Sequence, residues 1–445
     1  AWRTKGWLKP FRSAVPLLIG RGAQGVLSLA AVALATRTLG ADVFGILVLI
    51  TSFRQIATGL MKLRARETIM RFGAQAIYAN DMHRFRRLLR FGFAVDILSA
   101  TVAIMSILLF ADIFTRTLDL PTAYRDMARL FGLSAGIALV STTCDGILRL
   151  FDRFDLVAVQ TVLSPAVQAS GAFVLFLTGG GLSAFLVAWF TAIAVSRLWL
   201  IIMAFRELRM RGVGRIGMPC WCDFRWPEVG VWHLTFGGYL NHAAGEAKRH
   251  GAVLVIGAML NPAAAGLLRI AQQIGTIPGK PVNKVLAPAI YPEMARLTAA
   301  KAYKKRGKMT AGSGLIAAGF ALVLALTMVV FGKTLINNIF GQDFIGAYIP
   351  MLIIAINQII TNLIFPIRPF LESIGRIYFL VIAKFANIGV WIAFIWILVP
   401  GYAVEGAALA ELISTLIISI VVFIYAYHHG FSFRPSSHKE ASKPI

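Results

Sequence analysis

Gly45–Lys62, GILVLITSFRQIATGLMK, is long and apolar enough to span a membrane as a helix, yet it holds a guanidinium near its middle. At about 3.6 residues per turn, Thr51, Gln55, Thr58 and Lys62 share one stripe with Arg54 at its edge. Ile46, Leu47, Leu49, Ile50 and Leu60 cover much of the rest. An Arg at the centre of such a helix costs roughly 2.5–3.5 kcal/mol on insertion scales, so it is expected to face a water-filled cavity or a partner instead of lipid. The pattern returns in GLLRIAQQIGTIPGKPVNK, Gly266–Lys284, where Arg269, Gln272, Gln273, Thr276 and Lys280 form a second polar stripe. Two cationic stripes in two related places point to one shared cavity.

The whole chain agrees with a membrane reading. Of 445 residues 58% are hydrophobic and only 14% charged, with a mean hydropathy of +0.73, too apolar for a soluble domain. The net charge of +24 also fits nucleic-acid binding, so the location of the charges has to decide. Cys144, Cys220 and Cys222 are too few for a disulfide framework, and Cys220-Trp221-Cys222 is too tight for a zinc site, so no metal and no cofactor is expected. From Ala1 onward no cleavable signal peptide is expected.

Apolar windows predict an all-α polytopic membrane protein with about twelve spans. They run near 14–36, 43–62, 89–111, 127–149, 156–178, 182–205, 229–259, 263–285, 310–331, 347–367, 377–399 and 403–427. The seventh carries Glu246, Lys248, Arg249 and His250 and reads either as one long helix or as a broken one. With both termini in the cytoplasm, 30 of the 44 basic residues fall on the inner side, including the runs Lys62–Arg90 and Arg296–Lys308. The basic balance is then mostly topology and attraction to anionic lipid heads, and nucleic acid is not an expected partner.

A shift of 221 residues lays Leu39–Gly45 on Leu260–Gly266 and Arg84–Arg87 on Lys305–Lys308; a shift of 222 lays Gly179 on Gly401. Six spans per half make this a parallel repeat, for which a midplane site between the halves is expected. The expected organisation is a six-helix bundle over 1–208, a cytoplasmic linker over 209–228, and a second bundle with a cytoplasmic tail over 229–445.

The run Leu34-Ala35-Thr36-Arg37-Thr38-Leu39-Gly40-Ala41-Asp42-Val43-Phe44-Gly45, followed by Arg64, Arg66, Glu67, Met70 and Arg71, resembles the start of the Wzx-type polysaccharide flippases. These belong to the multidrug/oligosaccharidyl-lipid/polysaccharide (MOP) exporter superfamily. Ala265–Leu268 and Tyr291–Leu297 look like that family's second-half counterpart. The resemblance implies a MATE-like fold of two six-helix bundles around a central cationic cavity, in the bacterial inner membrane. It implies outward flipping of a polyprenyl-diphosphate-linked oligosaccharide, with membrane lipids, a polysaccharide polymerase and chain-length machinery as further partners.

The residues make their own case for that chemistry. A lipid diphosphate needs a wet, positive route, because bare ionised groups lose tens of kcal/mol of solvation in an idealised apolar medium. Arg21, with Gln24 and Ser28 on its face, joins Arg54, Arg269 and Lys280 as candidate substrate-binding groups, and guanidinium forks suit phosphate oxygens. Against this stands a structural pairing of the arginines with Asp96 or Asp145. Lys248 and Arg249 are further candidates, which Glu246 and His242 could neutralise. Arg197 and Lys384, about two turns from the inner end of their spans, are expected to snorkel. Asp96, Asp145, Glu246 and Glu411 are the acidic groups placed well inside spans, hence the candidates for ion coupling. Membrane potential is the expected driving force. Gly179-Gly180-Gly181 reads as a turn, Pro278, Pro281, Pro288, Pro366 and Pro369 as kinks or helix ends, and Trp7, Phe11, Trp226 and Trp232 as an interfacial belt. The chain lacks an Asp-x-Asp pair and large outer loops, which argues against a glycosyltransferase or polymerase. A multidrug exporter of the same superfamily is the alternative, but cationic drugs favour an acidic cavity.

Overall fold

The computed structural model describes residues 9–63, 65–214, 216–217, 231, 235, 239–280, 282, 286, 290, 293–294, 296–297, 300 and 302–428. The Cys220-Trp221-Cys222 run, Trp7, Trp226, Trp232, Arg64, Pro281, Lys284, Pro288 and most of the expected linker lie outside them. The described residues are helical throughout, and eight helical stretches are long and apolar enough to cross a membrane. Two continuous stretches each contain a sharp joint. Helix α1, Lys9–Met61, turns at Gly40 (φ 72°, ψ 176°), a conformation open to glycine because it lacks Cβ. The last helix, Ile377–Ala426, turns at Ala403 (φ 45°, ψ −126°).

After α1 come α2 (Ala65–Tyr78), α3 (Met82–Thr117), α4 (Thr122–Gly132), α5 (Ser134–Val140), α6 (Thr142–Leu150), α7 (Phe154–Thr178) and α8 (Leu182–Met210). Then follow α9 (Tyr239–Met259), α10 (Pro262–Gly275), a 3-10 turn at Ile277–Gly279, α11 (Tyr303–Phe340), α12 (Tyr348–Ile364), α13 (Ile367–Ser373) and α14 (Ile377–Ala426). Local chemistry sets several ends. Asp81 caps α3 by accepting from the Arg84 N–H at 2.8 Å, and Gly179 ends α7 in the left-handed region at φ 69°. Pro278 lies in the 3-10 turn that follows α10, and Pro366 separates α12 from α13. The seventh span is continuous from Tyr239 through its charged centre.

The chain divides into two compact units, 1–266 and 267–445. This differs from a division before residue 229, because α9 packs on α1. A Cβ on Gly59 would lie 2.6 Å from Glu246 Cβ, and one on Gly45 would lie 1.9 Å from the Pro262 carbonyl oxygen. Gly40 and Asn261, which the 221-residue shift superimposes, both stand at joints between consecutive helices; Asn261 caps α10 by accepting from the Ala264 N–H at 2.8 Å.

In the first unit an alanine-rich cluster of Ala57, Ala100, Ala103 and Ala135 with Ile107 and Leu139 brings α1, α3 and α5 close. Small residues are the usual means of helix association in lipid. A second core of Phe72, Phe85, Leu88, Phe91, Phe151 and Leu208 holds α2, α3, α6 and α8 together. In the second unit Met294, Ile367, Phe370, Leu371 and Ala426 form the core around α13 and the end of α14. Outward-facing side chains such as Leu177, Val187, Ile316, Phe331 and Ile397 are large, apolar and exposed, as lipid contact requires.

Candidate substrate site in the first unit

Arg54 lies two turns before the end of α1, on a helix whose Leu47, Leu49 and Ile50 are sealed in protein, not lipid. The polar stripe around it is half-buried, but its threonines bond to their own helix. Thr51 Oγ1 donates to the Val48 carbonyl at 3.0 Å and Thr58 Oγ1 to the Arg54 carbonyl at 2.8 Å, which leaves the charges as the outward chemistry. The Arg54 guanidinium carbon stands 5.5 Å from the Phe131 ring centre on α4. Its Nε is buried and has no hydrogen-bond partner among the described residues. Arg197, on α8, lies within electrostatic reach of both Arg54 and Lys62.

Arg197 is half-buried on α8, and its neighbour in the chain, Ser196, accepts from Gln160 of α7 at 3.0 Å. The Ser196-Arg197 pair on an otherwise apolar span was the signal in the sequence.

The fourth span is broken at Ser141, between α5 and α6, and Asp96 of α3 reaches the buried start of α6. Its Oδ2 accepts from the Thr143 N–H at 2.6 Å, and Asp96 is only 2% exposed. A helix start leaves backbone N–H groups without partners, and a carboxylate from a neighbouring helix satisfies one of them. Gly92, one turn before Asp96, permits the approach, since a Cβ there would sit 2.7 Å from Thr143 Oγ1. Asp145, in the first turn of α6, is taken by two arginines: Arg66 Nη1 at 3.2 Å and Arg149 Nε at 2.9 Å. Arg66 also holds Glu67 at 2.7 Å. A second knot follows at the same helix ends, where Glu207, its side chain 5% exposed, accepts from Arg153 at 2.7 Å and Arg211 at 2.8 Å.

At these helix ends Arg66, Arg149, Arg153 and Arg211 are paired, while Arg54 pairs with neither Asp96 nor Asp145. Arg21 is exposed on α1. Lys248 is half-buried and Arg249 exposed on α9, and Glu246 there engages His250 at 3.4 Å. Arg269, Lys280 and Glu411 belong to the second unit. Arg269 and Glu411 are half-buried, and the Lys280 ammonium donates to the Gln273 carbonyl at 3.4 Å. Among the described residues no group of three or more His, Cys, Asp or Glu is placed to hold a metal ion.

No protein-family model matches the chain. It is 29% identical over 326 residues to the inner membrane protein YghQ of Escherichia coli K12, covering 73% of this chain and 90% of that protein. Among solved structures it resembles an inward-facing multidrug resistance MATE transporter of the MOP superfamily, with a TM-score of 0.77 at 14% identity over 93% of this chain and 96% of the other. The fold is the MATE fold. A variant of the Vibrio cholerae MATE transporter VcmN matches this MATE-like chain with a TM-score of 0.62 at 13% identity, over 95% and 96% of the two chains. A MOP-superfamily transporter from Pyrococcus furiosus, described as having a binding pocket of reversed polarity that suggests a different function, matches with 0.63 at 14% identity, over 96% of each chain.

Proposed function

We propose that this chain is an alternating-access transporter of the inner membrane that carries an anionic amphiphile, a saccharide linked to a polyprenyl diphosphate, from the cytoplasmic to the outer leaflet. The observation that carries the reading is Arg54: a half-buried guanidinium whose Nε is buried without a hydrogen-bond partner, with no carboxylate partner among the described residues and with the cation Arg197 within electrostatic reach. Such a group is costly to keep in a membrane unless it meets an anion. The MATE-like fold supports transport, and likeness to an inner membrane protein supports the location. Arg21, Lys248 and Arg249 of the first unit and Arg269 and Lys280 of the second are the further cations proposed to meet the anion. With the cell interior negative, outward movement of each negative charge gains roughly 2.3 kcal/mol per 100 mV.

A second reading, export of a small soluble molecule, is favoured by the multidrug MATE transporters that share the fold. Arg54 and Arg197 favour an anion in that case too. Proteoliposomes distinguish the two. On the first reading a fluorescent polyprenyl-diphosphate saccharide changes leaflet while a small soluble anionic dye is not exported. Arg54→Ala then slows flipping by about 10- to 150-fold, from roughly 1.5–3 kcal/mol for hydrogen bonds to a charged group. Dye export without flipping establishes the second reading, and normal flipping by Arg54→Ala removes the site.

A further inference from the structure

At the end of α3 away from the α2–α3 turn, a cavity of about 490 Å³ opens between α3 and the start of α4. That volume falls within the roughly 300–1,000 Å³ of small-ligand sites. Its charged lining is balanced: Asp112 and Asp119 against Arg116 and Arg125, with Thr115 and Thr122 between them. Asp112 is already engaged by Arg125 and Arg129, both at 3.2 Å. Arg116 and Asp119 have no side-chain partner among the described residues, and both are exposed. Asp119 is held at φ 47°, an uncommon conformation for a side-chain-bearing residue, though one Asp tolerates. The start of α4 behind them has Pro121 as its cap residue and no side-chain cap, so its first N–H groups face the cavity end of the helix without one.

Below the cavity the same face of α3 is apolar and uncovered. Met105, Leu109 and Ile113 follow one another at four-residue spacing, with Leu109 70% and Ile113 57% exposed, and the next position on that stripe is Arg116. An acyl chain lying on this strip brings its headgroup to the cavity mouth.

We propose that this is a lipid site for a zwitterionic phosphoethanolamine headgroup. The phosphate meets Arg116 and the uncapped start of α4, where both a guanidinium fork and backbone N–H groups can donate. The primary ammonium donates to Asp119. The balanced lining disfavours a headgroup with net negative charge, and no aromatic ring lines the cavity to form the cage that a quaternary choline ammonium prefers. The site does not depend on what the transporter carries.

The test is native mass spectrometry of the full-length protein with phosphatidylethanolamine, phosphatidylcholine and phosphatidylglycerol of matched acyl chains. The wild type is expected to retain the ethanolamine lipid about tenfold over the other two, and the double substitution Arg116→Gln with Asp119→Asn to erase that preference. Arg116→Lys, which keeps the charge but not the fork, is expected to keep part of the preference, and an unfolding midpoint of the double variant equal to the wild type shows that its loss is not unfolding. Equal retention of all three lipids by the wild type, or an undiminished preference in the double variant, overturns the proposal. Soluble glycerophosphoethanolamine is expected to displace the lipid poorly; displacement at equal concentration removes the part given to the apolar strip.

Discussion

Replacing Asp96 separates two roles that a buried carboxylate can have. If its work is to cap the broken fourth span, an acceptor suffices and a proton or cation is not involved. Asp96→Ala removes a 2.6 Å bond to a backbone N–H that no water reaches. Hydrogen bonds to charged groups are worth roughly 1.5–3 kcal/mol, and an orphaned buried donor falls in the same range, so Ala is expected to cost about 2–3 kcal/mol. Asp96→Asn keeps an oxygen in place and loses only the charge-assisted part, about 1 kcal/mol or less. Thermal unfolding of the purified protein should therefore rank wild type, Asn and Ala in that order. Transport in proteoliposomes should survive in Asn at close to the wild-type rate. A stable Asp96→Asn protein that no longer transports would refute the capping argument and return Asp96 to ion coupling. Equal stability of Ala and wild type would show that the bond to Thr143 contributes nothing.

Arg197→Ala is expected to reduce transport of the anionic substrate without loss of folded protein, measured as flipping rate and detergent-extracted yield, because it removes one cation near Arg54 and Lys62 and no salt bridge. Glu207→Ala leaves Arg153 and Arg211 facing each other without their shared carboxylate; as both arginines are about one-third exposed, the expected loss is about 1–2 kcal/mol, less than for a fully buried pair, read as a lowered unfolding midpoint. Gly45→Ala places a Cβ against the Pro262 backbone and is expected to prevent α1 from seating beside α10, seen as loss of folded protein, whereas Gly25→Ala, which meets nothing within 4 Å, should be silent.

The sequence by itself determined the class of the protein and many of its joints. Composition alone required a membrane, since polar surface was too scarce for water. The apolar windows located the eight apolar helical stretches, although the seventh and eighth of the twelve expected spans are not among them. Gly179 and Pro366 marked helix ends, because backbone restrictions at Gly and Pro act within a residue or two. The stripe around Arg54 was also legible, as helix periodicity is local. Tertiary structure decided which charges are paired. Asp96 meets Thr143 across 47 positions and Arg66 meets Asp145 across 79, while Arg54, of the same chemical type, pairs with neither carboxylate. Nothing in the local pattern separates these arginines. Nor did hydropathy reveal the break at Ser141, whose cost is offset by a carboxylate on another helix, or the seating of α9 with the first unit, which rests on the close approach of Gly59 to Glu246. A hydropathy pattern sums properties of neighbours in sequence, whereas the partner of a buried polar group is chosen by what folding brings within about 3 Å.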